Sequence, residues 1–236
     1  MVLAFVTLYL LVSVGIGLWA AQRVHNGRDY IVAGRHLPFF VVLAMVFATW
    51  FGSETVLGIS ATFLEEGLVG LASDPFGAAL CLMLFGLIFA RPLYRMNLLT
   101  LGDFFRQRFD ARVEMILSIC IIISYLGWVA AQFTALGVVF YVLTDGVIAQ
   151  PVGVILGAAV VLIYTVFGGM WSVAWTTFVQ MIVIVAGLLI VAAFAGEQAG
   201  GFSAVVAHAH AAGKLEWFPP VTDLTAIVTW VGALLT

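Results

Sequence analysis

The chain has 236 residues, of which 64% are hydrophobic and only 9% charged, with a mean hydropathy of +1.18. A water-soluble domain carries about 25% charged residues, so a soluble core is excluded and the class is a polytopic α-helical membrane protein. The apolar stretches are continuous rather than alternating, which excludes an outer-membrane barrel, and the net charge of −3 offers nothing to a nucleic acid.

A hydrocarbon core of roughly 30 Å needs about 20 apolar residues per helical crossing. Such stretches are expected at 2–23, 38–67, 71–95, 113–143, 151–168, 173–195 and from 224 onward. The first has no basic flank or cleavage site before it and reads as a retained helix. Basic residues set the orientation. Arg23, Arg28 and Arg35 lie between the first two spans, and Arg91, Arg95, Arg106, Arg108 and Arg112 between the third and fourth. Only Lys214 lies on the other side, together with Glu65, Glu66, Asp74, Asp145, Glu197 and Glu216. The positive-inside rule then puts the N-terminus outside and the arginine-rich loops in the cytoplasm.

The second span contains "FATWFGSETVLG", Phe47 to Gly58. A carboxylate at bilayer depth costs about 2.5–3.5 kcal/mol on insertion scales and marks a functional site by default. Gly52 and Ser53 beside Glu54 allow the helix to unwind, and carbonyls freed in that way must be satisfied by protein, water or ion. The bland alternative is a Glu54 that reaches the outer interface, with Gly52 serving only close packing.

Between the third and fourth spans, "LLTLGDFFRQRFDARVE" spaces apolar and charged residues as an amphipathic helix lying on the cytoplasmic membrane surface. Thr100 and Asp103 mark a capping-box start. The fourth span holds Trp128 in "YLGWVAAQFTALG"; tryptophan is common in membrane helices, and Trp19, Trp171, Trp217 and Trp230 read as ordinary ones. Gly153 and Gly157 form a G-x-x-x-G for packing. In "YTVFGGMWSVAWTTFVQ", Gly168–Gly169 ends one helix and turns into the next. The stripe Ser172, Thr176, Thr177 and Gln180 either hydrogen-bonds a neighbouring helix, the commoner use, or lines a polar pathway. Cys81 and Cys120 lack a C-x-x-C partner. The segment from Gly196 to Pro220 reads as an external loop in which His208 and His210 lack further metal ligands. No catalytic residues stand out.

Four motifs, "DYIVAGRHLP", "ATWFGSETVLG", "LLTLGDFFRQRF" and "YTVFGGMWSVAWTTFVQ", resemble in this order the sodium:solute symporter family. "ATWFGSE", "GLIFARP" and "WVAAQFTALG" look closest to its choline-transporter branch. The resemblance implies an all-α LeuT-type inverted-repeat transporter represented by its N-terminal part. In that reading 2–37 is an extra helix and cytoplasmic loop, 38–195 the first five-helix repeat, 196–223 an external loop and 224–236 the start of the second repeat. It further implies a transported sodium ion held by the backbone carbonyls of Ala48 and Phe51. Trp50 and Trp128 would box a quaternary amine such as choline, with Gly52, Ser53 and Glu54 beside the solute.

Two positions depart from the family pattern. Thr177 stands where an Asp is usual, which puts a second cation site or a proton role in doubt. Glu54 replaces an uncharged residue of the choline branch and is similar to sugar-transporting relatives. The function expected is sodium-driven symport of a small organic solute by alternating access in a bacterial inner membrane. Symport of an amino acid, a carboxylate or a sugar is the alternative within the family. The alternative outside transport is the membrane sensor module of a histidine kinase, which a kinase domain encoded downstream would reveal. Residues 1–236 alone are expected not to transport, because half of an inverted repeat is missing; isotope uptake by proteoliposomes holding only this segment tests that directly.

Overall fold

A computed structural model describes residues 2–220 and 223–235. Val221 and Thr222 of the expected external loop, with Met1 and Thr236, lie outside the described residues. The chain is helical, in the order α1 (Val2–Ala21), α2 (Gly27–Val32), α3 (Phe39–Trp50), α4 (Ser60–Glu66), α5 (Ala78–Phe85), α6 (Arg91–Arg95), α7 (Leu101–Arg108), α8 (Ala111–Leu143), α9 (Gln150–Gln198), α10 (Phe202–Ala211) and α11 (Leu224–Leu235). A wider π-type turn at Glu54–Ile59 leads into α4, a 3-10 turn at Gly67–Leu71 and a π-type turn at Ala72–Gly77 lie between α4 and α5, and a π-type turn at Gly86–Ala90 joins α5 to α6.

Among the described residues, four segments are long and apolar enough to cross a membrane: Ala4–Ala21, Glu54–Arg95, Ala111–Leu143 and Gln150–Gln198. The second and fourth run to 42 and 49 residues, about twice what one crossing needs. Each is divided where the backbone leaves helical geometry. In the second, Gly67 adopts φ +72 and Asp74 is extended at φ −135 and ψ 120. In the fourth, Gly169 stands at φ 48 and ψ −137. A fifth candidate span is bent by 105° between Gly27–Arg35 and Phe39–Trp50. The expected external loop differs from a plain loop, because the alanine- and valine-rich run from Phe202 to Ala211 coils into α10.

The chain divides into two compact units, one of Met1–Thr49 with Leu98–Ile182 and one of Trp50–Asn97 with Val183–Thr236. In the first unit, helices approach through small residues. A methyl group at Gly17 of α1 would lie 2.5 Å from Tyr164 Cβ of α9, and one at Gly153 would lie 2.8 Å from Phe140 Cβ of α8. Gly137 meets Val154 and the Gln150 carbonyl, and Gly157 meets the Leu136 side chain, in the same way. Without a hydrophobic force between helices in lipid, such close approach is what supplies the van der Waals contact that holds them. Ser172 adds a hydrogen bond from its buried hydroxyl to the Gly17 carbonyl.

The far end of α1 is fastened differently. The Arg23 guanidinium stands 4.6 Å from the ring centre of Trp19, 5.2 Å from that of Trp171 and 5.4 Å from that of Trp175. Trp19 and Trp175 meet edge to face at 6.0 Å. Tyr30 of α2 reaches the same region of α9, donating from its hydroxyl to the Thr165 carbonyl at 3.2 Å, and its backbone fills the space in which Gly169 would carry a side chain. The short α7 starts on a capping box. Its Asp103 N–H donates to Thr100 Oγ1, and Asp103 Oδ2 accepts from the N–H groups of Thr100 at 2.8 Å and Leu99 at 2.9 Å.

In the second unit, the segment following α10 lies over the Gly67 turn. Lys214 Nζ donates to the Glu65 carbonyl at 2.7 Å, and the Leu68 N–H donates to the Lys214 carbonyl at 2.9 Å. Trp217 meets Phe76 edge to face at 4.4 Å.

Two measurements test these contacts. Gly17→Leu should overpack the α1–α9 contact and cost about 1–3 kcal/mol, and Arg23→Ala should remove cation–π attraction of about 0.5–2 kcal/mol; thermal unfolding in detergent reads both as lowered midpoints, with Arg23→Lys in between. The backbone N–H groups of Thr100 and then Leu99 hold the Asp103 carboxyl below its ordinary pKa. A depressed folded-state value contributes stability above the unfolded pKa and loses it as pH falls through the folded one. The destabilisation by Asp103→Ala should therefore be full at neutral pH and shrink on acidification below the usual carboxylate range.

Candidate functional site

The candidate site is built around the end of α3. That helix stops at Trp50, Phe51 is non-helical, and helical geometry resumes from Ser53 into the π-type turn Glu54–Ile59. Gly52, with no side chain, weakens the helix at this point. A helix end leaves the carbonyls of its last turn without partners four residues on, and Ala48 belongs to that turn. Thr55 Oγ1 donates to the Trp50 carbonyl at 2.7 Å across the interruption, and the Val56 N–H donates to the Gly52 carbonyl at 3.2 Å where the helix resumes. Thr49 Oγ1 and Ser60 Oγ turn back to carbonyls of their own helices, those of Met45 and Val56. The break is therefore a defined backbone structure, and wide turns of this kind often mark functional positions in helices.

Around it, Phe51, Gly52, Ser53 and Thr55 are half-buried, whereas Glu54 is exposed and Trp50 is 45% exposed. Among the described residues Glu54 has no hydrogen bond and no ion pair. The boundary between the two compact units falls between Thr49 and Trp50, at the break itself. Ala48 thus belongs to the first unit, and Trp50 to Glu54 belong to the second.

The remaining candidates lie in the first unit. Trp128 projects from α8, 41% exposed, with Tyr125 edge-on at 6.3 Å. The polar stripe of α9 is divided in its surroundings. Ser172 and Thr176 are buried, and the Thr176 hydroxyl donates to the Ser172 carbonyl at 2.8 Å and to that of Val173 at 3.0 Å. Thr176 Cγ2 lies 3.5 Å from where Gly17 would carry a Cβ, so this part of the stripe packs against α1. Thr177 is 7% exposed and Gln180 is half-buried.

The tryptophan cluster on Arg23 escaped the sequence reading, which treated Trp19 and Trp171 as ordinary membrane tryptophans. A signal was available. Trp19 and Arg23 are four apart on one helix end, Trp171 and Trp175 are four apart on another, and residues at that spacing share a helix face. Among the described residues no group of three or more His, Cys, Asp or Glu side chains is arranged to hold a metal ion. An alkali cation at this break would have to rely on backbone carbonyls and hydroxyls.

The sequence was compared with known proteins. It is 32% identical over 245 residues to the human high affinity choline transporter 1, covering 99% of this chain and 41% of that one. It is 32% identical over 208 residues to the high-affinity choline transporter 1 of Drosophila melanogaster, covering 86% of this chain and 33% of the other. The rat sodium/glucose cotransporter 2 is 30% identical over 204 residues, covering 83% and 29%. The chain therefore spans less than half the length of these relatives. A solved Na+-coupled sialic acid symporter, in a substrate-bound outward-open state, superposes with a TM-score of 0.83 at 23% identity over 98% of this chain and 48% of that one. That likeness shows the fold, an all-helical LeuT-type arrangement. The model of the sodium:solute symporter family matches residues 30–230, and an integral membrane protein with this fold, these relatives and an interrupted second span belongs to the sodium:solute symporter family.

Proposed function

We propose that the protein of which this chain forms part carries a small organic solute across the membrane together with sodium, by alternating access. The observation that carries the reading is the interruption of the second span at residues 51–53, in a member of a symporter family. Discontinuous helices at the bilayer midplane build ion and solute sites from unwound carbonyls and helix ends. In this reading the carbonyls of Ala48 and Phe51 help to hold sodium, and the ion stabilises the unwound segment in its solute-competent form. By linkage, sodium and solute raise each other's affinity by the same factor.

The solute favoured is a quaternary amine such as choline. Two of the relatives are choline transporters, and Trp50 and Trp128 each expose part of an indole ring, the side chain that attracts such cations most strongly. Gly52 and Ser53 let the backbone approach the solute. Glu54, exposed and without an ion-pair partner among the described residues, adds negative charge that a cationic solute or the sodium ion would use. A sugar is the second reading, supported by Glu54 and by the likeness to the rat sodium/glucose cotransporter. Thr177 and Gln180 are the remaining candidates for a polar pathway. The distribution of arginines supports a reading with the N-terminus outside and the arginine-rich segments in the cytoplasm, and the membrane of this reading is a bacterial inner membrane.

The test is a solute-panel uptake assay on the full-length protein with and without a sodium gradient. Uptake of choline should depend on sodium. Trp50→Ala and Trp128→Ala should each raise the half-saturating choline concentration by about tenfold or more, the loss expected of one desolvated cation–π contact. Their thermal midpoints should stay close to the wild type. Wild-type choline uptake by both variants removes the tryptophans from the site, and sodium-dependent glucose uptake in place of choline uptake selects the second reading.

A further inference from the structure

The turn between α7 and α8 carries two exposed arginines that the proposed transport reaction does not use. Within Leu101–Glu114 there are three arginines, Arg106, Arg108 and Arg112, and three acids, Asp103, Asp110 and Glu114. All three acids are engaged. Asp103 closes the capping box of α7. Asp110 caps α8, its Oδ1 accepting from the N–H groups of Arg112 and Val113, both at 2.9 Å. Glu114 pairs with Arg106 at 3.6 Å. Arg108 and Arg112 are exposed and have no ion pair or hydrogen bond from their side chains among the described residues.

The same segment also exposes apolar side chains. Phe109, in the two-residue turn between the helices, is 62% exposed, and Leu101 at the start of α7 is 53% exposed. The Phe105 and Phe109 rings stack at 6.1 Å and 21°. The exposed Phe109 ring, stacked on a half-buried Phe105 and near two exposed arginines in sequence, is costly in water and suited to the boundary between headgroups and acyl chains. The same segment directly precedes α8, which is itself of spanning length, so it is held at that boundary by covalent connection.

We propose that Arg108 and Arg112 form a docking site for the phosphate of anionic phospholipids in the leaflet that faces them, with Phe109 inserted among the acyl chains. Neither arginine has to give up an internal partner, whereas Arg106 would have to leave Glu114. Each unpaired arginine near an anionic surface strengthens binding about fivefold, so the pair is expected to contribute about thirtyfold at low salt. Raising the ionic strength should weaken the contact, as it does for any solvent-accessible charge pair. The site depends only on the membrane-spanning character of the chain, and it stands or falls independently of the transported solute.

The test uses the full-length protein with Cys81→Ala and Cys120→Ala, and with Phe109→Cys carrying an environment-sensitive fluorophore. It is reconstituted into nanodiscs of phosphatidylcholine alone or of phosphatidylcholine mixed with phosphatidylglycerol. The expected result is a blue-shifted emission in the anionic discs that Arg108→Gln with Arg112→Gln abolishes. Native mass spectrometry of the protein bearing the unlabelled Phe109 should show that the same double variant retains many-fold less phosphatidylglycerol. Arg91→Gln with Arg95→Gln, outside the proposed site, should leave both signals intact. Equal emission in the two kinds of disc would overturn the proposal. So would loss of the signal in the Arg91/Arg95 variant, which would make it an effect of total charge.

Discussion

A backbone carbonyl or N–H at bilayer depth has no water to turn to, and every break in a spanning helix must answer for the groups it frees. The interruption after Trp50 is governed by that constraint. Thr55 supplies a hydroxyl to the Trp50 carbonyl and the Val56 N–H meets the Gly52 carbonyl, so part of the cost is met within the segment. The same constraint explains Gly169, where Tyr30 packs its backbone and ring into the bend of α9.

Helix association inside the first unit follows a second consequence of the bilayer. Lipid is as apolar as leucine, so helices gain little by hiding leucines from it and more by close contact. Gly17, Gly137, Gly153 and Gly157 bring backbones together, and Ser172 and Thr176 bury their hydroxyls where carbonyls of the same or the facing helix can accept from them. At the aqueous end of α1 the currency changes to cation–π attraction, with Arg23 among three indoles. Closely packed small residues and a charge on aromatic faces together fasten α1 to α9.

Much of this was legible in residue order. The capping box at Thr100 and Asp103 appears as spacing, because three residues is the reach of one helical turn. The turn at Gly168–Gly169 and the break at Gly52–Ser53 appear as pairs of weak helix formers inside otherwise apolar runs. The Arg23 cluster was less visible, since Trp19 and Trp171 are separated by most of the chain and tryptophan at a membrane edge is ordinary. Helix α10 is less visible in residue order, because its ten residues are a short run inside a Gly/Ala-rich segment with charged residues at both ends.

The sequence by itself determined that the chain lies in a membrane, which loops are basic, where the spans are interrupted and which family it joins. Those properties depend on local composition, and the energy of placing each residue in hydrocarbon or water is nearly independent of distant neighbours. Only the tertiary structure decided which polar side chains are already spent. Ser172 is committed to the α1 contact, the Thr176 hydroxyl to carbonyls of α9, Asp103 and Asp110 to helix ends and Glu114 to Arg106, whereas among the described residues Glu54, Arg108 and Arg112 have no ion-pair partner. Partnership is a matter of ångströms between groups distant in sequence or around a turn, and residue order does not carry that distance.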